Sequence, residues 1–309
     1  MPIPTRPLGT TGESVTILGY GAMELRGAPR APEIPDEDAG RLLNAVLDGG
    51  INIIDTSIDY GRSEELIGRY LSDRRDEFFL ASKCGCPLAS PPPPATPPYP
   101  HDYSPQNLRA GVEQSLRRLQ TDRLDLVQIH ISPSRAQLEA DDAVATLNTL
   151  RDEGKVRFIG MSGTLPNLPD HMEMGVFDVF QIPYSVLQRE HEELIATAAA
   201  AGAGTFIRGG AARGAPSSDK DWSKGPIGVA EGEGERRWDA SGIDELLGDM
   251  SRIEFTLRFT LSHPGLSTTI VGTSRLDHLS SNIAIAEKGP LPAGLYEEAK
   301  ARFRAGALS

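Results

Sequence analysis

With 309 residues, 39% hydrophobic and 24% charged, the chain has the material for one full core, the size of a large α/β barrel of about 250 residues plus insertions. A formal charge of -12 argues against nucleic acid or an anionic membrane as main partner. No stretch is apolar enough for a signal peptide or a bilayer span, so a cytoplasmic location is expected. Two cysteines, Cys84 and Cys86, supply neither a disulfide framework nor a four-ligand zinc set, and no metal site is read. Reduced thiols are expected, with some thiolate character at Cys84 beside Lys83.

In chain order, Gly9-Thr10-Thr11-Gly12 is a turn between two extended pieces, hence an N-terminal β-hairpin. A first core strand, residues 16–20, runs into Gly19-Tyr20-Gly21-Ala22-Met23, a Gly-x-Gly without the third glycine of a dinucleotide fingerprint. Asp36 opens a helix carrying Ala39, Leu42, Leu43, Val46 and Leu47, stopped by Gly49-Gly50. Residues 51–54 are β-branched and bounded by glycine, a second strand. Asp55 stands at its end and Tyr60 on the loop beyond, before Ser63-Glu64-Glu65 opens the next helix. Residues 77–82 form a third strand with Lys83 at its end, followed by a proline-dense loop over 87–103. Ser104-Pro105 starts a helix, and residues 124–129 form a fourth strand ending at His130. Strands at 155–160, 177–182, 205–208 and 268–271 complete the set. A polar, glycine-rich segment, 209–238, reads as a long loop, and 243–261, 276–287 and 292–303 as helices.

Eight strands alternating with helices predict a (β/α)8 TIM barrel with an N-terminal β-hairpin and extra C-terminal helices, one domain over residues 1–309. A doubly wound sheet would want a complete glycine fingerprint after its first strand. The working face of a barrel is the C-terminal end of its strands. Asp55, Lys83 and His130 fall there, with Tyr60 on the adjoining loop. Singly, each reads as a rim charge, a core histidine or a surface phenol. Jointly they suit proton chemistry.

The blocks Gly50-Ile51-Asn52, Asp55-Thr56, Tyr60-Gly61, Ser63-Glu64, Ala81-Ser82-Lys83 and Asp125-Leu126-Val127-Gln128-Ile129-His130 resemble aldo-keto reductase signatures. So do Gly154-Lys155-Val156-Arg157-Phe158-Ile159-Gly160-Met161-Ser162, Gln181-Ile182-Pro183-Tyr184 and Ile270-Val271-Gly272-Thr273-Ser274, in order and at family-like spacing. The resemblance implies a soluble NAD(P)H-dependent oxidoreductase that reduces an aldehyde or ketone, or runs the step backwards. It implies a catalytic tetrad of Asp55, Tyr60, Lys83 and His130, with Tyr60 as general acid. A nearby ammonium is expected to lower the phenol's pKa, and His130 to hold the substrate oxygen.

For the cofactor, NADP with NAD as an option, the resemblance puts Ser162 and Gln181 on the nicotinamide carboxamide and Tyr184 against the ring. Gly272, Thr273 and Ser274 are implied on phosphate, Arg275 and His278 on an adenosine 2′-phosphate, and Asn282 on adenine. Gly21, Met23, Asp55, Gly210, Ala211 and Gly214 complete the implied cofactor set. Gly163 stands where many members have asparagine. The segment 209–238, with Lys220, Lys224, Arg236 and Arg237, is expected to fold over the pyrophosphate, and Tyr99, His101, Trp222 and Trp238 to line the mouth. The alternative is a nucleotide-sensing regulatory subunit of the same fold with slow turnover; the intact tetrad favours the enzyme. A metal-dependent barrel hydrolase would want a His-x-His after the first strand, which the chain lacks.

Overall fold

The computed structural model describes residues 2–28, 31–88, 101–214 and 232–305. Strands β1 (Thr5–Pro7) and β2 (Ser14–Thr16) pair antiparallel as the expected hairpin. Eight parallel strands follow: β3 (Leu18–Gly21), β4 (Ile53–Asp55), β5 (Phe79–Cys84), β6 (Leu124–Ile129), β7 (Val156–Ser162), β8 (Val179–Pro183), β9 (Gly204–Arg208) and β10 (Thr268–Val271). Each pairs with the next, and β10 pairs with β3 to close the barrel.

The helices are α1 (Asp36–Asp48), α2 (Ser63–Leu71), α3 (Pro105–Leu119), α4 (Arg135–Ala140), α5 (Ala143–Asp152), α6 (Leu168–Glu173), α7 (Glu192–Ala200), α8 (Glu233–Ser241), α9 (Arg252–Leu261), α10 (Leu276–Glu287) and α11 (Ala293–Ala305). They form the outer layer that covers the outward side chains of the strands. α1 buries Ala39, Leu42, Leu43, Val46 and Leu47, the stripe its periodicity predicts. Ser104 and Ser251 cap α3 and α9 by accepting from the amides of Asn107 and Glu254.

Inside the barrel, strand alternation decides what meets what. Ile53, Phe79, Ala81, Leu126, Phe158, Val179 and Phe206 point inward and pack with Leu8 and Val15 of the hairpin, which plug one end. The Arg6 guanidinium fastens that plug by donating to the carbonyls of Leu261, His263 and Leu266. Apolar filling at this end leaves the other, at the strands' C-termini, to polar side chains.

Three expectations are corrected. Residues 243–261 are not one helix: a 3-10 turn over Ile243–Leu246 is separated from α9 by Gly248 at φ +54°. The long loop also ends earlier than residue 238, because α8 begins at Glu233. That helix is polar, and it is held by Glu233 pairing with Arg236 and Arg237 three and four residues on. Trp238 is buried rather than lining the mouth; its indole N–H donates to Asp244 at 2.9 Å. Tyr99, Lys220, Trp222 and Lys224 lie outside the described residues, as does most of the expected cofactor-covering segment. Among the described residues, no helix is long and apolar enough to cross a membrane.

Candidate active site

The polar end of the barrel is built by continuing the inward parity one step past the apolar layer. Asp55 follows Ile53, Lys83 follows Ala81, Gln128 follows Leu126, Gln181 follows Val179 and Arg208 follows Phe206, each two residues on. All of them therefore point into the same mouth.

At its centre is a buried ion pair. Lys83 Nζ donates to Asp55 Oδ2 at 2.6 Å and to the Thr56 carbonyl at 2.7 Å, both side chains almost wholly shielded from water. The other carboxylate oxygen, Oδ1, accepts from the Gln128 and Gln181 amides, each at 2.9 Å. Ser162 Oγ in turn donates to Gln181 Oε1 at 3.2 Å. Every oxygen of the buried carboxylate thus has a donor, as a charge in this setting needs.

Tyr60 arrives from the loop after β4. Its turn relies on Gly61, at φ +48°, where a Cβ would stand 2.1 Å from the Arg26 carbonyl oxygen. The Lys83 ammonium sits 4.8 Å from the centre of the Tyr60 ring. Burial would lower the Lys83 pKa, but the Asp55 carboxylate foremost, with the Tyr60 oxygen beside it, outweighs burial and leaves it raised. For Tyr60 the balance differs from the sequence expectation. Burial pushes the phenol's pKa up by more than Lys83 pulls it down, so the ring is held protonated.

His130, just past β6, completes the set, its ring 6.4 Å from that of Tyr60 and edge-on. Burial drives its pKa down to about 3, so the imidazole is neutral. Its Nδ1 lies 3.1 Å from Cys86 Sγ. Burial raises that thiol well above its ordinary value and Cys84 to about 12, so neither is a thiolate at neutral pH. A neutral ring that accepts from the Cys86 thiol at Nδ1 carries its hydrogen on Nε2.

The structure thus brings Asp55, Tyr60, Lys83 and His130 together. It places Tyr184 elsewhere. Counted from the inward Gln181, Tyr184 has outward parity; its ring is fully buried against Phe259, and its hydroxyl is 3.0 Å from that of Tyr296. No face of it is open to a cofactor ring. Gln128 and Arg208 are the residues the sequence reading did not assign. Arg208 Nε is buried with no hydrogen-bond partner among the described residues. At Gly163, where many family members have asparagine, a Cβ would be 2.9 Å from Leu168 Cδ1 and 3.2 Å from Met161 Cγ, so a side chain there would require those two to shift.

The remaining expected cofactor residues line the rim between β9, β10 and β3. The ends of β3 and β10 abut so closely that a Cβ on Gly272 would be 2.6 Å from the Gly21 carbonyl oxygen. The Tyr20 hydroxyl donates to the Thr273 carbonyl at 2.7 Å. Thr273 Oγ1 accepts from the Arg275 amide at 3.1 Å, which shapes the entry into α10. Ser274 and His278 are exposed, while Met23 and Asn282 are half-buried. Gly210, Ala211 and Gly214 follow β9, with the Gly210 carbonyl accepting from Thr260 Oγ1 at 2.8 Å. A groove of about 400 Å³ runs past Ser274, lined by Glu33, Asp38, Arg41, Arg275 and Asp277. In it Arg275 is clamped by both carboxylate oxygens of Asp277, at 3.0 and 2.5 Å.

A closed parallel barrel with a buried Asp–Lys pair beneath a tyrosine and a histidine at its C-terminal mouth defines an oxidoreductase of the carbonyl-reducing class. The sequence model of the Aldo/keto reductase family matches residues 17–301, and the chain belongs to that family. It is 27% identical to the uncharacterized oxidoreductase YqkF of Bacillus subtilis over 91% of this chain and 90% of that protein. It is 28% identical to D-threo-aldose 1-dehydrogenase of Pseudomonas sp, over 94% and 95% of the two chains. Among solved structures, the holo form of aldo-keto reductase AKR11C1 from Bacillus halodurans superposes with a TM-score of 0.82 at 27% identity, covering 97% of this chain and 96% of that one.

Proposed function

We propose that the chain interconverts an aldehyde or ketone and its alcohol with NAD(P)H, using Tyr60 as the proton donor. The observation that carries this reading is the Lys83 ammonium, buried, held by Asp55 at 2.6 Å and set 4.8 Å from the Tyr60 ring centre. An ammonium in a dry site costs free energy that fold stability alone does not repay, and it sits where a phenolate would form.

A nicotinamide dinucleotide fits the rest of the mouth. Ser162 and Gln181 offer paired polar groups beside Asp55. Gln128 Oε1 and Arg208 Nε are buried without partners among the described residues. The twelve-residue α10 presents its N-terminus, with Gly272, Thr273 and Ser274, as a phosphate site. When bound, the reduced nicotinamide supplies the hydride. The chain's own residues handle the oxygen. His130 donates a hydrogen bond to the carbonyl and fixes its distance. Tyr60 gives its proton to that oxygen as charge builds there, and Lys83 steadies the phenolate left behind. Asp55 keeps the lysine charged and in place. Arg275 is the contact for a 2′-phosphate, but Asp277 competes for it, so NADPH is preferred only modestly and NADH is tolerated.

Replacing Tyr60 by phenylalanine tests the reading. Cofactor binding, followed by quenching of protein fluorescence, should persist while carbonyl reduction falls by several orders of magnitude. A fall of only a few-fold would move the acid role away from Tyr60.

A further inference from the structure

We propose that Cys86, His101 and His130 form a binding site for a thiophilic divalent cation of the Zn2+ type, sharing His130 with the reductase site. One ligand atom from each residue lies within 4.8 Å of the others. Cys86 Sγ is 3.1 Å from His130 Nδ1 and 3.7 Å from His101 Nε2. A tetrahedral zinc with Zn–S near 2.3 Å and Zn–N near 2.0 Å separates sulfur from nitrogen by roughly 3.5 Å and nitrogen from nitrogen by roughly 3.3 Å. The two sulfur edges already bracket the required value. The third closes with a shift of at most about 1.5 Å.

The three ligands come from three segments that are tied together before any cation arrives. The His130 amide donates to the Cys84 carbonyl at 3.1 Å, and the Tyr103 hydroxyl to the His130 carbonyl at 2.6 Å. The Asp102 amide donates to the Gly85 carbonyl at 2.9 Å, and the Asn107 side chain to the Cys86 carbonyl at 3.2 Å. Gly85, at φ +87°, makes the turn that carries Cys86 under His130; a Cβ there would lie 2.4 Å from the Tyr103 ring. Such prior tying is what a metal site needs in order to bind tightly.

The donor chemistry suits the cation. One thiolate and two imidazoles are a borderline-soft set, with the fourth position left for water on the side of the mouth. Asp59, which accepts from Ser57 Oγ at 2.7 Å, adds negative charge on this flank. Binding releases the thiol proton to solvent as Sγ becomes the ligand, and no electron moves. Pulling the His130 ring into a tetrahedron displaces it from the carbonyl oxygen. A misplacement of about 1 Å costs on the order of a hundredfold in rate, so occupation suppresses reduction. That consequence rests on the reductase reading; the binding itself does not.

The test is a titration of the reduced, chelator-treated full chain with Co2+ alone, followed by Zn2+. One equivalent of Co2+ should raise a sulfur-to-cobalt charge-transfer absorption, and Zn2+ should bleach it. Cys86→Ser should abolish the band, and His101→Gln should weaken Co2+ binding by about tenfold or more, with circular dichroism confirming that each variant folds. Carbonyl reduction by the wild type should fall about tenfold or more with the same midpoint as the band. No band at millimolar Co2+, or full affinity in a folded His101→Gln, overturns the site. A saturated band with an unchanged rate overturns the sharing of His130. Failure of the Tyr60 prediction would leave the cobalt band untouched, so the two readings fail separately.

Discussion

The Asp55–Lys83 pair yields a stability prediction that its geometry fixes in sign and size. The two side chains are 3% and 1% exposed and their atoms meet at 2.6 Å, so solvent screening offers no discount. Asp55→Asn keeps one oxygen for the Gln128 and Gln181 amides but turns the other into an NH2 aimed at the ammonium. The lysine then has no counter-charge in a dry site, a loss of about 3–5 kcal/mol. Lys83→Met leaves the converse, a buried carboxylate with two glutamine donors and no cation, at a similar cost. With both changes together, neither orphan charge exists. The double variant should therefore be no less stable than either single, with a coupling free energy of at least about 2 kcal/mol. Urea unfolding of the four proteins at neutral pH, followed by circular dichroism, measures it. Single-variant losses that simply add, to within about 0.5 kcal/mol, would show the pair to be uncoupled and refute the account of the mouth as built round a buried charge pair.

Asp277→Asn should free Arg275 from its clamp and raise the NADPH-over-NADH preference several-fold, read as the ratio of kcat/KM values; an unchanged ratio would remove Arg275 from the 2′-phosphate site. Burial holds the imidazoles of His171, His191 and His263 below their ordinary value. The unfolded chain therefore takes up protons first, and stability is full above about pH 6.5 and falls as pH drops through it. The urea midpoint should decline across that window, less steeply in His171→Asn, and a midpoint that stays flat would contradict the assignment.

The barrel was legible in the sequence because strand ends and helix caps carry local signals. Residues 124–129 and 268–271 fall where β6 and β10 lie, and the capped Ser104-Pro105 start of α3 is found. That Asp55, Tyr60, Lys83 and His130 would meet was legible because they sit at or just past strand ends within motif blocks. Tyr184 followed a motif while its parity, odd relative to Gln181, already sent the ring outward. The helix α8 hides in a polar run with no apolar stripe; ion pairs along its own surface and the single buried Trp238 support it. Cys86, His101 and His130 have no sequence spacing that suggests a shared site; closure of β5 against β6 and the return of the chain before α3 create it.

Arg208 is the case in which parity alone would have sufficed. It stands two residues past Phe206, which fills the barrel, so its side chain must enter the mouth. The residue is half-buried, and its buried Nε, without a partner among the described residues, costs about 1–3 kcal/mol. Burial lowers its pKa, and Tyr60 and Asp55 act in the opposite direction, which places its charge within reach of the proton donor. A costly cation beside developing negative charge is the signature of a group retained for the reaction rather than for the fold. Arg208→Met should therefore leave urea stability equal or higher while lowering kcat/KM by about tenfold or more, equivalent to about 1.4 kcal/mol of transition-state stabilisation. Arg208→Lys, which keeps the charge but not the planar fork, should recover part of that loss. The opposite pattern, a destabilised Arg208→Met with unaltered kcat/KM, would make Arg208 a packing residue and leave the electrostatics of the mouth to Lys83 and His130.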